Sequence, residues 1–275
     1  MVTGTRLPLT VVTDPEHGGR WTSLAAGGRE WLWHRDEPRR PLARPGDAFA
    51  DAGGLEECVP TVRGLPDHGD AWSRPWRRTE DADVVDCPDF RLSRRIGERG
   101  DAVVADYTLA AEPGYRFVWA AHALLDLSPT ARIGVDGTAE TRLYPDERDR
   151  WVAGTWPSVD GVPLDRLGPD DGSAVGAVVL TSQVSVHDGK DTLHLSVEAD
   201  GQPVAVALWR NLGGFPPERP VPLDRRRADA RPCLRPSHGA RPRHRRRAAD
   251  RQGRLAAHRH RDPPPLNPRH QKEFG

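Results

Sequence analysis

Long apolar runs are missing from this sequence. None approaches the ~20 residues that a membrane-spanning helix needs, and Met1 to Arg6 open no apolar segment that reads as a signal peptide. No membrane partner is therefore expected. Cysteine is scarce, with only Cys58, Cys87 and Cys233. No two of them stand as a C-x-x-C pair, which argues against a metal centre or a redox motif. An odd, scattered set also fits a reducing cytoplasm better than a secreted disulfide framework. Sustained helical periodicity is absent, and so is any internal repeat. Net charge is zero, with 40 basic and 40 acidic residues, so the overall charge names no partner.

What is present is unevenly placed. All nine tryptophans lie at or before Trp209, whereas the arginines crowd after Leu223. The front of the chain is acidic and aromatic, and the back is basic. Asymmetry of this kind suggests a nucleic-acid tail or two segments of different origin.

Short strand signals fill the front. Arg6 to Thr13 reads as a strand, and Trp21 to Ala25 with Glu30 to His34 reads as a hairpin around Ala26-Gly27-Gly28. Residues 36–51 are rich in Pro, Arg and Asp and read as a surface loop, and the stretch from Gly53 to Ser73 also reads mostly as loop. In Phe90 to Ile96, residues Phe90, Leu92 and Ile96 alternate with polar neighbours. Further strands are expected over 102–109, 115–127, 131–135, 174–186, 192–199 and 204–209, separated by turn residues such as Glu112-Pro113-Gly114. Many short strands with Gly, Pro and Asp between them predict an all-β fold, a sandwich or barrel of antiparallel sheets.

One stretch concentrates candidate chemistry. Pro66-Asp67-His68-Gly69 is followed by Trp72, Arg74 and Trp76, and is preceded by Gly53-Gly54-Leu55-Glu56-Glu57-Cys58. Taken alone, a histidine in such a turn is more often a solvated surface group. His122 lies among Ala120, Ala121, Ala123 and Leu124, where the plain reading is a satisfied core histidine.

Together, these pieces resemble the aldose 1-epimerase (galactose mutarotase-like) family over about residues 7–215. The resemblance rests on Gly18-Gly19-Arg20-Trp21, Gly28-Arg29-Glu30-Trp31, Gly53-Gly54 with Glu57, Pro60 and Thr61, Asp67-His68-Gly69, the strand containing His122, and Leu208-Trp209-Arg210-Asn211. It implies a large antiparallel β-sandwich. It also implies interconversion of sugar anomers, in which a carboxylate base takes the C1 hydroxyl proton and a histidine acid protonates the ring oxygen. Acid and base must be poised near neutral pH, which suits histidine. Carried over residue by residue, His122 is the candidate acid and His68 a second catalytic contact. Glu57, Asp67, Trp72 and Arg74 are candidate sugar-binding residues, with Glu57 equally readable as a loop charge. Asp165 and Asp170 offer further carboxylates but look like turn residues. The implied partner is a small-molecule sugar, and no metal or other cofactor is implied.

The match stops after Phe215. The family continues with a Glu-Pro pair carrying the base and a closing strand with a tryptophan. Here a sandwich over 1–222 gives way to an Arg/Pro-rich tail over 223–275 with no alternation, which composition reads as disordered. A frame-shifted origin is the reading adopted. Leu223 to Arg231 can be encoded so that the next frame reads Ser-Thr-Gly-Val-Glu-Pro-Met-Leu-Gly, and Ala248 to His260 so that it reads Pro-Pro-Thr-Gly-Arg-Val-Ala-Trp-Arg-Leu-Thr-Val-Thr. The freedom lies in the third bases. The rival is a basic arm on nucleic-acid phosphates, but the segment lacks the interleaved aromatics of such arms.

Overall fold

The computed structural model describes residues 5–145, 150–214, 227–234 and 249–261. β1 (Thr5–Leu7) and β2 (Thr10–Asp14) are separated at Pro8, a residue with no N–H for a ladder. The expected single strand is thus two. β3 (Arg20–Ala26) and β4 (Arg29–Glu30) form the expected hairpin, with Ala26 opposite Arg29. β5 (Leu55–Cys58) stands where the sequence reads as loop. Short β6 (Arg77–Arg78) and β7 (Asp83–Asp86) lead into the long hairpin of β8 (Phe90–Arg99) and β9 (Ala102–Ala111).

β10 (Trp119–Asp126) and β11 (Arg132–Gly134) follow, then β12 (Glu140–Tyr144), β13 (Val152–Thr155), β14 (Ser158–Val159) and β15 (Val162–Pro163). The strand expected over 174–186 is divided into β16 (Ala174–Val179) and β17 (Gln183–Asp188), because the chain turns at Leu180–Ser182. β18 (Asp191–Ala199) and β19 (Val204–Asn211) match their sequence signals, and β20 (Arg227–Leu234) and β21 (Ala249–Arg261) complete the described strands. Among the described residues the helical elements are three single 3-10 turns, at Pro15–His17, Arg40–Leu42 and Ala71–Ser73. None is long and apolar enough to cross a membrane.

The fold is the all-β antiparallel sandwich expected. One sheet has the order β11-β17-β18-β21-β9-β8-β7-β6, with β1 beside β21. The other runs β15-β14-β13-β12-β16-β19-β20-β10-β5-β3-β2, with β4 beside β3. One apolar cluster joins them. It takes Trp21, Leu24, Leu55, Ala121, Leu125 and Leu208 from the second sheet, and Leu92, Val103, Tyr107, Leu193, Leu195 and Val197 from the first. Alternation does the sorting: a strand's side chains point to opposite faces in turn, so Leu193, Leu195 and Val197 all face inward.

Two strands fall within the segment whose composition reads as unstructured. β20 lies between β19 and β10, with Val204 and Trp119 both opposite Leu234. β21 lies between β18 and β9, with Leu195 and Val104 opposite Ala257 and Ala256. Ladder pairing uses main-chain groups, to which side-chain alternation is only an indirect guide.

A buried ion network ties the sheets together. Arg94 occupies an inward position of β8, between Leu92 and Ile96 in the alternating set, and is 1% exposed. Its guanidinium pairs with Glu57 of β5 and with Asp83 of β7, the latter at 3.2 Å. It also donates to the Gly19 carbonyl at 2.7 Å and lies 4.7 Å from the Trp76 ring. The Tyr107 hydroxyl donates to Glu57 at 2.9 Å. Burial works against the Arg94 charge, but Glu57 more than offsets this and holds its pKa above the usual range. Burial beside Glu57 pushes the Tyr107 hydroxyl well up. Removing one partner of such a network leaves the other charge buried and unpaired, which costs about 3–5 kcal/mol. Arg94→Met is therefore expected to lower unfolding stability by that order in urea titration. A loss under about 1 kcal/mol, the scale of an exposed pair, would contradict this assignment.

Candidate functional site

The neighbouring strands β5 and β10 build the site. They pair with Ala120 opposite Cys58, Ala121 opposite Glu57, His122 opposite Glu56 and Ala123 opposite Leu55. Because successive side chains alternate between faces, Leu55, Glu57, Ala121 and Ala123 turn into the sandwich. Glu56, Cys58, Ala120 and His122 turn to the outer face. That face is also covered: Glu56, Cys58 and His122 are all 3% exposed or less.

The cover comes from the loops on either side of β5. The Asp70 N–H donates to the Val59 carbonyl at 2.7 Å, and the Gly69 N–H to the Pro66 carbonyl at 3.1 Å. Val59 and Gly69 form a parallel bridge. Gly69 has φ +78°, and a Cβ there would sit 2.0 Å from the Val59 carbonyl oxygen, so only glycine fits. His68 itself has φ +57°, a left-handed conformation tolerated in tight turns. This pinned turn brings the His68 ring to 5.3 Å from the His122 ring, centroid to centroid. Phe49, from the loop over residues 35–54, stacks flat on His68 at 3.8 Å and meets Trp72 edge-on at 5.0 Å. The Asp67 carboxylate lies 3.1 Å from His68 Nδ1.

The structure therefore brings together four of the six expected residues: His68, His122, Asp67 and Trp72. Trp72 is 2% exposed, so its ring supports the wall more than it faces solvent. Arg74 is partly exposed beside Asp70, at 4.0 Å, and does not join the cluster. Glu57 lies on the opposite face of β5 in the inter-sheet ion network, so it is neither a loop charge nor a group facing this cluster. Asp165 pairs with Arg132 and Arg166 at another part of the molecule, and Asp170 is not brought to the cluster by any contact seen. The candidate Glu-Pro segment over 223–231 falls partly outside the described residues.

Four further contributors escape sequence reading. Phe49 stands in a stretch whose Pro, Arg and Asp content reads as solvated loop. Arg40, 4% exposed, donates to Glu56 Oε2 at 2.9 Å, to the His17 carbonyl at 2.8 Å and to the Trp72 carbonyl at 3.3 Å, so it knots three segments beneath the site. Glu56 sits in register with His122. Strand parity tells it from Glu57, but only once the segment is known to be a strand. Cys58 lies on the same outer face, and its Sγ and a ring nitrogen of each histidine lie within 4.8 Å of one another. The C-x-x-C test misses this grouping because its members come from two strands and a loop.

Burial pushes the Glu56 carboxyl up to about 7, against the pull of Arg40. A carboxyl raised on folding keeps a proton that the unfolded chain has released. Its stabilising contribution is full below the ordinary value of 4.5 and is lost as pH rises through about 7. Glu56→Gln is expected to flatten the fall in urea midpoint between those pH values. Parallel wild-type and variant profiles would show that this carboxyl is not raised.

Similarity to known proteins is a matter of fold. No family model matches the sequence, and no curated protein matches it. Among solved structures, a candidate aldose 1-epimerase from Escherichia coli K12 aligns at TM-score 0.62 and 14% identity, covering 94% of this chain and 99% of that one. A galactose mutarotase-like protein from Lactobacillus casei ATCC 334 aligns at TM-score 0.58 and 12% identity, covering 92% and 100%. A candidate aldose 1-epimerase from Klebsiella pneumoniae subsp. pneumoniae MGH 78578 aligns at TM-score 0.61 and 11% identity, covering 93% and 77%. At such identities the likeness establishes the architecture: the chain has the galactose mutarotase-like β-sandwich.

Proposed function

We propose that this chain is an aldose 1-epimerase-like protein whose sugar site lies at His68 and His122. The observation that carries the reading is the meeting of two histidines, one on β10 and one on a pinned turn, beside aromatic rings. Two imidazoles at this separation can flank a small polar ligand. Phe49 supplies a ring face suited to the C–H surface of a pyranose, and the Asp67 carboxylate lies 3.1 Å from His68 Nδ1. In the reaction, His122 gives its proton to the ring oxygen, the ring opens, rotation about C1–C2 follows, and reclosure yields the other anomer. His68 holds the ring-opened carbonyl end by hydrogen bonding. Positioned acid catalysis of this kind contributes on the order of 10²–10⁴-fold.

The base is the open part of this scheme. The outer-face carboxylate in register with His122 is Glu56, and it is engaged by Arg40 at 2.7 Å. A free carboxylate would come from the alternate frame of the coding segment beneath Arg227 and Ala228, so we infer that the chain as written is impaired. That same lack favours a second reading, a carbohydrate-binding protein without catalysis on the same fold.

Polarimetric mutarotation of glucose and galactose separates the two. Activity is expected only when the C-terminal segment is restored to the alternate frame, with a loss of at least about 10²-fold in His122→Ala. Equal activity in the unrestored chain refutes the missing base. Sugar binding without turnover in both forms selects the binding protein. Sequencing the gene across codons 205–235 checks the frame directly, and a clean open frame with no plausible insertion or deletion removes the frameshift.

A further inference from the structure

We propose that Cys58, His68 and His122 form a site for one thiophilic divalent transition-metal ion, zinc foremost. The donor set is one thiol sulfur and two ring nitrogens, all within 4.8 Å of one another. Zinc takes this combination readily, with Zn–S near 2.3 Å and Zn–N near 2.0–2.1 Å. Tetrahedral bonding at those lengths puts donor atoms about 3.3–3.6 Å apart. The observed grouping therefore has to contract by roughly 1 Å, a movement within reach of small side-chain rotations.

The backbone already aims the donors. Ala120 lies opposite Cys58 and His122 opposite Glu56, so Cys58 and His122 are diagonal neighbours on one face of adjacent central strands, where side chains are within reach of each other. The third donor is carried by the turn that Gly69 locks against Val59. Two strands and a fixed turn make a more precise ligand frame than three loops.

The third donor's ring is also restrained: it stacks flat on Phe49 at 3.8 Å. Three protein donors leave the fourth tetrahedral position for water or a small ligand, as in open zinc sites. Cys87 is not part of this donor grouping.

The inference stands without the sugar reading, because it rests on donor chemistry alone. It is tested on the full chain, stripped with a chelator and titrated with Co²⁺ and then Zn²⁺. One equivalent of Co²⁺ is expected to give a thiolate-to-cobalt charge-transfer band with tetrahedral visible bands, all displaced by Zn²⁺. Zinc-edge X-ray absorption of the wild-type chain is expected to show one sulfur and two imidazole nitrogens, a readout that needs no variant to fold. Cys58→Ser should abolish the charge-transfer band, and Cys87→Ser should leave it unchanged. A sulfur-free zinc spectrum, a band that survives Cys58→Ser, or no stoichiometric uptake by the folded wild-type chain would each overturn the assignment.

Discussion

The Arg94 guanidinium, out of water and held between two carboxylates, is the constraint on which the arrangement of this molecule turns. Glu57 reaches it from one sheet and Asp83 from its own sheet. None of the three can be left alone in the core, because a buried charge without its partner costs far more than the pair itself contributes. Apolar packing tolerates small slips between sheets. An ion network with the Tyr107 hydroxyl and the Gly19 carbonyl as added partners does not. It therefore fixes where β5 lies, and β5 sets the site. With Glu57 held inward, the two-residue period of the strand sends Glu56 and Cys58 outward, to the face that carries His122.

Much of the fold was legible because alternation was clean. Phe90 and Leu92, the runs on either side of the Glu112-Pro113-Gly114 turn, and the runs over 192–199 and 204–209 all became strands of the sandwich. Arg94 was passed over, although it interrupts the alternating set of Phe90, Leu92 and Ile96 at an inward position, the mark of a buried charge in need of a partner. What was hidden had physical causes. β5 is a four-residue strand with two adjacent glutamates, and its burial on both faces comes from loops that no local pattern reveals. Pro8 and the turn at 180–182 broke runs of good strand formers. β20 and β21 are held by main-chain ladders and carry no alternation to find.

The site was half legible. His68 and His122 were picked out by a family resemblance, and the structure brings them together. Glu57 was chosen where its neighbour Glu56 faces the cluster, because parity along a strand cannot be counted until the strand is recognised. Phe49, Arg40 and Cys58 became visible only through long-range closure. The loops that supply Phe49 and His68 are joined by Arg40, which touches His17, Glu56 and Trp72 at once. One guanidinium thus coordinates the segments that cover the outer face, as another coordinates the sheets within.

The position of the last two described strands bears on how the molecule is made. β20 and β21 are central to their sheets, not edges: one separates β19 from β10, the other β18 from β9. Until both have left the ribosome, each sheet exists as two unjoined halves whose facing edges present open N–H and C=O groups. Synthesis at about 5–20 residues per second keeps those halves waiting, with the ion network able to form on one side of the gap only. The nascent chain is thus most prone to wrong pairing before these two strands are in place, and sheltering by a chaperone would matter most at that stage.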